Sequence, residues 1–340
     1  MRLPKVLVVG DMSKGSNSLS LAEGFLAHTE QLDFVDTSPI TSARIGSPAW
    51  LHRKAYSEIL PRLHSKIIDQ YIRAIGLINP DLILCIKTID FNQSQLLDEG
   101  KALKCHLSFD DVSNPENISD EYLEYETAWD LVFTTKRHNI SELRARGVRS
   151  PQFIYGAYDP KIHFSQKHYL GRKYSAGFIG AARSDRITLP QVLAKSFPKQ
   201  SVVCGPRWRR TYPMGIPDLD LFNARYGEAY KLLASEIQAG VLLLNSANRD
   251  THTNRTFEIP AAGQLIIGPS TEEHLELFED GKEAIFLDRF SVKDIPKMLD
   301  VIGDTKLMAK IAGAGQRRLL EGHHTYEDRA LEILTWAGLR

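Results

Sequence analysis

The most constraining feature of this chain is an alternation. Short apolar, β-branched runs are each followed by a longer stretch with helical spacing. Segments 5–10, 32–36, 81–86, 104–109 and 130–134 predict buried strands. Between them, 18–28 and 56–78 have helical periodicity, the second with Ile59, Leu63, Ile67, Tyr71 and Ile75 on one face and Asn79-Pro80 as its stop. A polar stretch with Gly and Pro runs from Tyr155-Gly156-Ala157-Tyr158-Asp159-Pro160 to Gly171, and the alternation then starts afresh. Strands are predicted at 174–180, 201–205, 240–244, 264–268 and 284–287. Helices are predicted at 189–195, 224–238, 257–262, 271–278, 292–302 and 306–321. Strand alternating with helix is the mark of a doubly wound parallel sheet. The chain therefore predicts an α/β fold of two Rossmann-like domains, 1–165 and 166 onward, with a ligand cleft between them.

Composition removes several alternatives. With 340 residues, 43% of them hydrophobic, the chain has enough apolar material for two cores. Its 42 basic residues balance 42 acidic ones, which argues against bare nucleic acid or an anionic membrane as the main partner. No window reaches the ~20 apolar residues that span a bilayer, so stable membrane insertion is not expected. Met1-Arg2-Leu3-Pro4-Lys5 runs directly into Val6, without the apolar stretch and cleavage site of a signal peptide. Cys85, Cys105 and Cys204 are scattered and form neither a metal spacing nor a disulfide framework. A cytoplasmic protein without a metal or other cofactor is the expectation.

The first strand ends in Val9-Gly10-Asp11-Met12-Ser13-Lys14-Gly15-Ser16-Asn17-Ser18, a small-residue loop ahead of a helix that suits an anion or a hydroxyl-rich ligand. Any strand-to-helix turn needs such residues, so the loop is weakly informative. The G-x-G-x-x-G fingerprint and the G-x-x-x-x-G-K-[ST] loop are both absent, which makes a nicotinamide-dependent enzyme remote. The second half is richer. A polar loop, Asn248-Arg249-Asp250-Thr251-His252-Thr253-Asn254, opens a short helix carrying Arg255 and Glu258; Gly263 ends it and a buried strand follows. Asp250 and Glu258, with seven residues between them, can face one cleft. Glu258 also reads as a plain helix-start carboxylate, and Arg255 as its surface partner.

Three motifs stand in combination: Arg255-Thr256-Phe257-Glu258-Ile259-Pro260-Ala261-Ala262-Gly263, the L-x-x-x-F-x-x-G-x-E run at 275–283, and His324-Thr325-Tyr326-Glu327-Asp328-Arg329. Together with Arg225-Tyr226-Gly227-Glu228-Ala229-Tyr230, they resemble the glycosyltransferase-family-1-like domain of the spore-maturation (CgeB-like) proteins, a group similar to the GT-B glycosyltransferases. The match spans roughly 174–334. The resemblance implies a GT-B fold with a nucleotide-sugar-binding domain at 166–322 and a terminal helix, 323–340, returning to the first domain. It implies a metal-independent transferase moving a sugar from a nucleotide-diphosphate donor to a hydroxyl acceptor, on a glycan, small molecule or protein. A non-catalytic nucleotide-sugar-binding protein of the same fold is the alternative.

The resemblance also assigns residues. Glu258 corresponds to the glutamate that bonds the donor's ribose. Asp250 falls at the first acidic position of the E-x7-E pattern of retaining enzymes, with Asp in place of Glu. Thr253, Asn254, Arg255 and Tyr230 belong to the donor side, where Arg183, Arg186 and Arg207 (with Arg209 and Arg210 around Trp208) are cations for the diphosphate. On the acceptor side an inverting route needs a base, and Asp110, Asp111 and Asp11 are the candidates in that order. In a retaining route the departing phosphate itself can take the proton. His106, in a predicted strand, faces the same carboxyl edge as Asp110 and Asp111, and His138 follows another strand within reach of a phosphate, although an isolated histidine is more often structural or at the surface.

Overall fold

The computed structural model describes residues 2–40, 49–98, 100–288, 292, 294–295 and 303–340. The chain forms two compact units, Met1–Tyr155 with Tyr326–Arg340, and Gly156–Thr325.

The first unit is built on a six-stranded, wholly parallel sheet in the order β2-β1-β3-β4-β5-β6. Its strands are β1 (Lys5–Gly10), β2 (Gln31–Asp36), β3 (Leu82–Ile86), β4 (Leu103–Ser108), β5 (Leu131–Thr134) and β6 (Pro151–Phe153). Every residue of β3 is buried, as expected of a strand covered on both faces. The helix Ala49–Ile78 packs over this sheet with Leu60, Ile67, Ile68, Tyr71, Ile75 and Ile78 in the core. Ile59, expected on that face, is instead 52% exposed, because the inward stripe passes through Leu60.

The expected helix 18–28 divides into an α-helix, Asn17–Gly24, and a 3-10 turn, Phe25–His28. Gly24 explains the division. A Cβ there would lie 2.4 Å from the Tyr326 carbonyl oxygen, so the glycine lets the terminal helix Tyr326–Trp336 cross at contact distance. The terminal helix thus packs on the Asn17–Gly24 helix.

The second unit carries another six-stranded parallel sheet, ordered β12-β11-β10-β7-β8-β9. These are β7 (Tyr174–Ile179), β8 (Ser201–Cys204), β9 (Asp220–Phe222), β10 (Ile237–Val241), β11 (Leu265–Pro269) and β12 (Ile285–Leu287). The order reverses between β7 and β10. Such a reversal opens a crevice at the carboxyl ends of the two strands, where ligands bind in sheets of this kind. One face of the sheet packs on the helices Leu189–Ser196 and Thr305–Glu321 through Leu189, Leu193, Met308, Ile311 and Ala312.

The predicted helix 224–238 shrinks to Glu228–Ala234, and β10 starts three residues before the predicted strand 240–244. Gly227, at φ 56°, sets the helix start, and Ile237 turns into the sheet core. β6 and β9, absent from the sequence reading, are three-residue strands at sheet edges. The predicted helix 292–302 lies largely outside the described residues.

Candidate functional site

The carboxyl edge of the second sheet gathers most of the donor-side candidates. A cavity of about 350 Å³ opens at the β7/β10 reversal, lined by Asp185, Arg186, Leu244, Ser246, Asp250 and Pro269 among others. Arg186 is only 7% exposed; its guanidinium donates to the Leu244 carbonyl at 3.2 Å and lies 3.5 Å from Asp185. Burial lowers its pKa while Asp185 opposes the shift. Asp250 closes the loop after β10: its Oδ2 accepts from the Asn245 N–H at 3.1 Å, and its own N–H donates to the Asn245 carbonyl. A buried cation and a braced carboxylate thus share one cavity whose walls are otherwise largely apolar.

Beside it the helix Arg255–Ala261 begins with a reciprocal cap. Thr253 Oγ1 accepts from the Arg255 N–H and Thr256 Oγ1 from the Thr253 N–H, each at 3.2 Å. Glu258 is 5% exposed, so it is no surface helix-start carboxylate. Its Oε2 pairs with Arg255 and accepts from the Tyr230 hydroxyl at 3.2 Å, while Arg255 also donates to that hydroxyl at 2.7 Å. Burial, the largest influence, pushes the Tyr230 phenol well above its ordinary range and keeps it a neutral donor. His163 completes the group. Its Nδ1 accepts from the Asp159 N–H at 2.8 Å, so the neutral ring carries its proton on Nε2, which faces Glu258 Oε1 at 3.7 Å. Burial lowers the pKa of this imidazole. Oε1 is therefore the carboxylate oxygen with lone pairs left for a diol, and Arg255, with a third of its side chain exposed, is the cation facing outward.

Other candidates fall as follows. Arg183 follows β7 and meets Asp185 at 3.4 Å. Arg207 follows β8 in a left-handed conformation (φ 69°), exposed. Backbone pairing of Ala182 N–H with the Pro206 carbonyl at 3.0 Å brings the Arg183 and Arg207 loops side by side. Trp208 is fully buried and donates to the Gly180 carbonyl at 2.7 Å, so it is a core residue that zips these two loops. Asn254 points its Oδ1 toward the Ala157 N–H at 3.4 Å rather than capping its own helix. Sequence reasoning missed His163. The signal was Asp159-Pro160, whose Asp side chain caps Lys161 N–H and starts the single turn Pro160–His163.

The acceptor-side candidates lie at the carboxyl edge of the first sheet. Asp110 pairs with Lys87, which follows β3 at φ 55° and is half exposed. Asp11 Oδ1 accepts from the Ser13 N–H at 2.9 Å. Asp111, 1% exposed, accepts from Asn139 Nδ2 at 2.8 Å and Ser113 N–H at 2.9 Å and braces its loop from within. Together with His138 and Glu142 it forms a group whose ligand atoms lie within 4.8 Å of one another, the arrangement here able to hold a metal ion. Glu142 Oε2 already accepts from Ser113 and Asn139. His106 is enclosed by Tyr122 and Trp129, and burial lowers it to about 3.

Two doubly wound parallel sheets and a terminal helix returned to the first define the GT-B class. Solved structures agree across nearly the full chain. HepE of Anabaena, in complex with UDP-glucose, superposes with a TM-score of 0.64 at 14% identity, covering 98% of this chain and 99% of that one. Sucrose-phosphate synthase of Thermosynechococcus elongatus gives 0.64 at 12% identity, covering 98% of each chain. The α,α-trehalose 6-phosphate synthase of Burkholderia multivorans gives 0.63 at 11%, covering 99% of this chain and 96% of that one. No curated protein matches in sequence. Residues 183–335 match the glycosyl transferase-like family, and the chain has the GT-B fold. Among the described residues no helix is long and apolar enough to cross a membrane.

Proposed function

We propose that the second unit binds a nucleoside-diphosphate sugar and that the chain transfers its sugar to a hydroxyl acceptor without a resident metal. The observation that carries this reading is the buried Glu258–Arg255–Tyr230 cluster beside the switch-point cavity. Glu258 Oε1 accepts the ribose hydroxyls. Arg255, Arg183 and Arg186 take the negative charge that grows on the diphosphate as the glycosidic bond breaks, the service a metal ion performs elsewhere. Preorganised cations in a poorly hydrated pocket do this at little reorganisation cost. Asp250 and Asp185 lie on the cavity wall as partners for sugar hydroxyls. Asp110, kept beside Lys87, is the carboxylate on the acceptor side that removes a hydroxyl proton if the route inverts.

The fold neighbour solved with UDP-glucose makes that the first donor to try. UDP at a hundredfold excess over its Kd is expected to stabilise the native protein by about 2.7 kcal/mol in a thermal-shift assay, and ADP, GDP and NAD to leave it unmoved. Glu258→Gln keeps the shape of the side chain and weakens UDP binding about 10- to 100-fold, through lost charged hydrogen bonds. Unchanged UDP affinity in that variant would remove Glu258 from the donor site.

A further inference from the structure

The loop that opens the donor helix is tied on its other side to the segments by which the chain enters and leaves the second unit. His252, 1% exposed, is clamped at both ring nitrogens. Its Nε2 accepts from the Gly156 N–H at 3.1 Å, and its Nδ1 contacts Glu273 Oε2 at 2.5 Å. An N–H facing Nε2 requires that nitrogen to be the bare one, so Nδ1 carries the proton and donates it to the Glu273 carboxylate. Glu273, itself 2% exposed, also accepts from the Thr251 hydroxyl at 2.5 Å.

Gly156 leaves no room for slack. A Cβ on it would stand 2.5 Å from Asn254 Oδ1 and 3.1 Å from the Phe257 ring. The outgoing segment closes the same contact: Tyr158 N–H donates to the His324 carbonyl at 3.1 Å, and the His324 ring lies 5.0 Å from Phe257. On the donor helix, then, Asn254 and Phe257 grip the crossings, whereas Arg255 and Glu258, one position further on, form the donor cluster.

We propose that His252 is a positioning residue for the donor site. Oriented by Glu273, it locks the loop at 252–257 to the crossing at Gly156–Tyr158, so that the placement of Arg255 and Glu258 depends on that lock. This role rests on the donor reading above only for its ligand consequence; the mechanical link between crossing and helix stands apart from it.

Two isosteric substitutions in the full-length protein separate the ring's two bonds. His252→Gln places an amide oxygen near the position of Nε2 and keeps an acceptor for Gly156. His252→Asn keeps polar atoms near Nδ1, opposite Glu273, and leaves the Gly156 N–H without its partner. Amide exchange by mass spectrometry on peptides covering 156–158 and 255–262 is expected to speed at least tenfold in both segments of His252→Asn. His252→Gln, which keeps the acceptor for Gly156 but loses the bond to Glu273, should speed by threefold or less in both. UDP affinity should follow the same split, weaker by tenfold or more in Asn and near parental in Gln, while the fold, checked by circular dichroism, persists.

Faster exchange confined to 156–158, or equal behaviour of Gln and Asn, overturns the proposal. Failure of the parent protein to bind UDP counts against the donor reading alone, since exchange at 255–262 still decides the coupling. Should His252→Asn not fold, Glu273→Gln offers a milder loosening of the imidazole. The same paired acceleration is then expected at reduced size, and its absence overturns the proposal equally.

Discussion

The two units use the same material, six parallel strands wrapped by helices, yet arrange the charged residues at their carboxyl edges differently. At the first sheet's carboxyl edge stand Asp11, Asp110 and the buried Asp111, with Lys87 as the cation paired to Asp110. At the second stand Arg183, Arg186, Arg207 and Arg255, with Glu258 drawn inward beneath Arg255. Both strand orders reverse beside the unit's first strand, at β1/β3 and at β7/β10, but one strand lies beyond the switch in the first sheet, β2, and two in the second, β8 and β9. The scaffold alone does not choose a ligand; the loops at strand ends do. Arginines close together suit a diphosphate leaving group, and a carboxylate beside a lysine suits the taking of a proton.

The sharpest way to break this comparison is Asp110→Asn. Under the reading given above it leaves UDP affinity unchanged and lowers kcat by roughly 10²- to 10⁴-fold, the usual worth of a general base. Steady-state rates with UDP-glucose and an accepted hydroxyl compound check it. An unaltered kcat would assign the proton to the departing phosphate and the retaining route.

Acid provides a second contrast. Of the imidazoles whose pKa is pushed down mainly by desolvation, His106 in the first unit falls to about 3 and His274 in the second to about 4. His274 accepts from the Thr256 hydroxyl at 3.1 Å and donates from Nδ1 to the Pro269 carbonyl, so a second proton has no acceptor. Both rings take up a proton more readily unfolded than folded. Their contribution is complete above about pH 6.5 and is lost as pH falls toward the folded value, costing roughly 3 kcal/mol each by pH 4. Below pH 4 the loss from His274 levels off while that from His106 continues to about pH 3. Urea melts across this range, repeated on His106→Phe and His274→Gln, check it: each substitution should flatten its own share of the acid response.

The smallest expected effect compares two helix caps. Ser16 Oγ accepts from the Leu19 N–H in the first unit, and Thr271 Oγ1 accepts from the His274 N–H in the second, both at 3.1 Å. Ser16→Ala should cost about 1 kcal/mol in a denaturant melt. Thr271→Ala should cost more, because Thr271 also donates to the Thr251 carbonyl at 2.7 Å and so holds the loop ahead of the helix Arg255–Ala261.

Much of this was legible in the chain's own letters. Buried parallel strands announce themselves as apolar runs, and ten of the twelve, such as β1 and β8, stood where the runs did. β6 and β9 escaped because three residues carry no periodicity, and β6 even starts at a proline. The register of β10 slipped because a continuous apolar stretch fits helix and strand alike. For the site, motif residues such as Arg255, Glu258 and Tyr230 were readable and proved to be neighbours. His163, His252 and Glu273 were not, since what unites them is burial around one helix, a tertiary fact without a spacing in sequence.

The contact of Gly24 with Tyr326 has a consequence in time. During synthesis the whole of Gly156–Thr325 must emerge before the helix Tyr326–Trp336 can reach its seat. At ordinary translation rates that interval is on the order of ten to thirty seconds. Throughout it the helix Asn17–Gly24 of the nascent first unit waits without this packing, a window in which a chaperone, or another nascent chain, can find it.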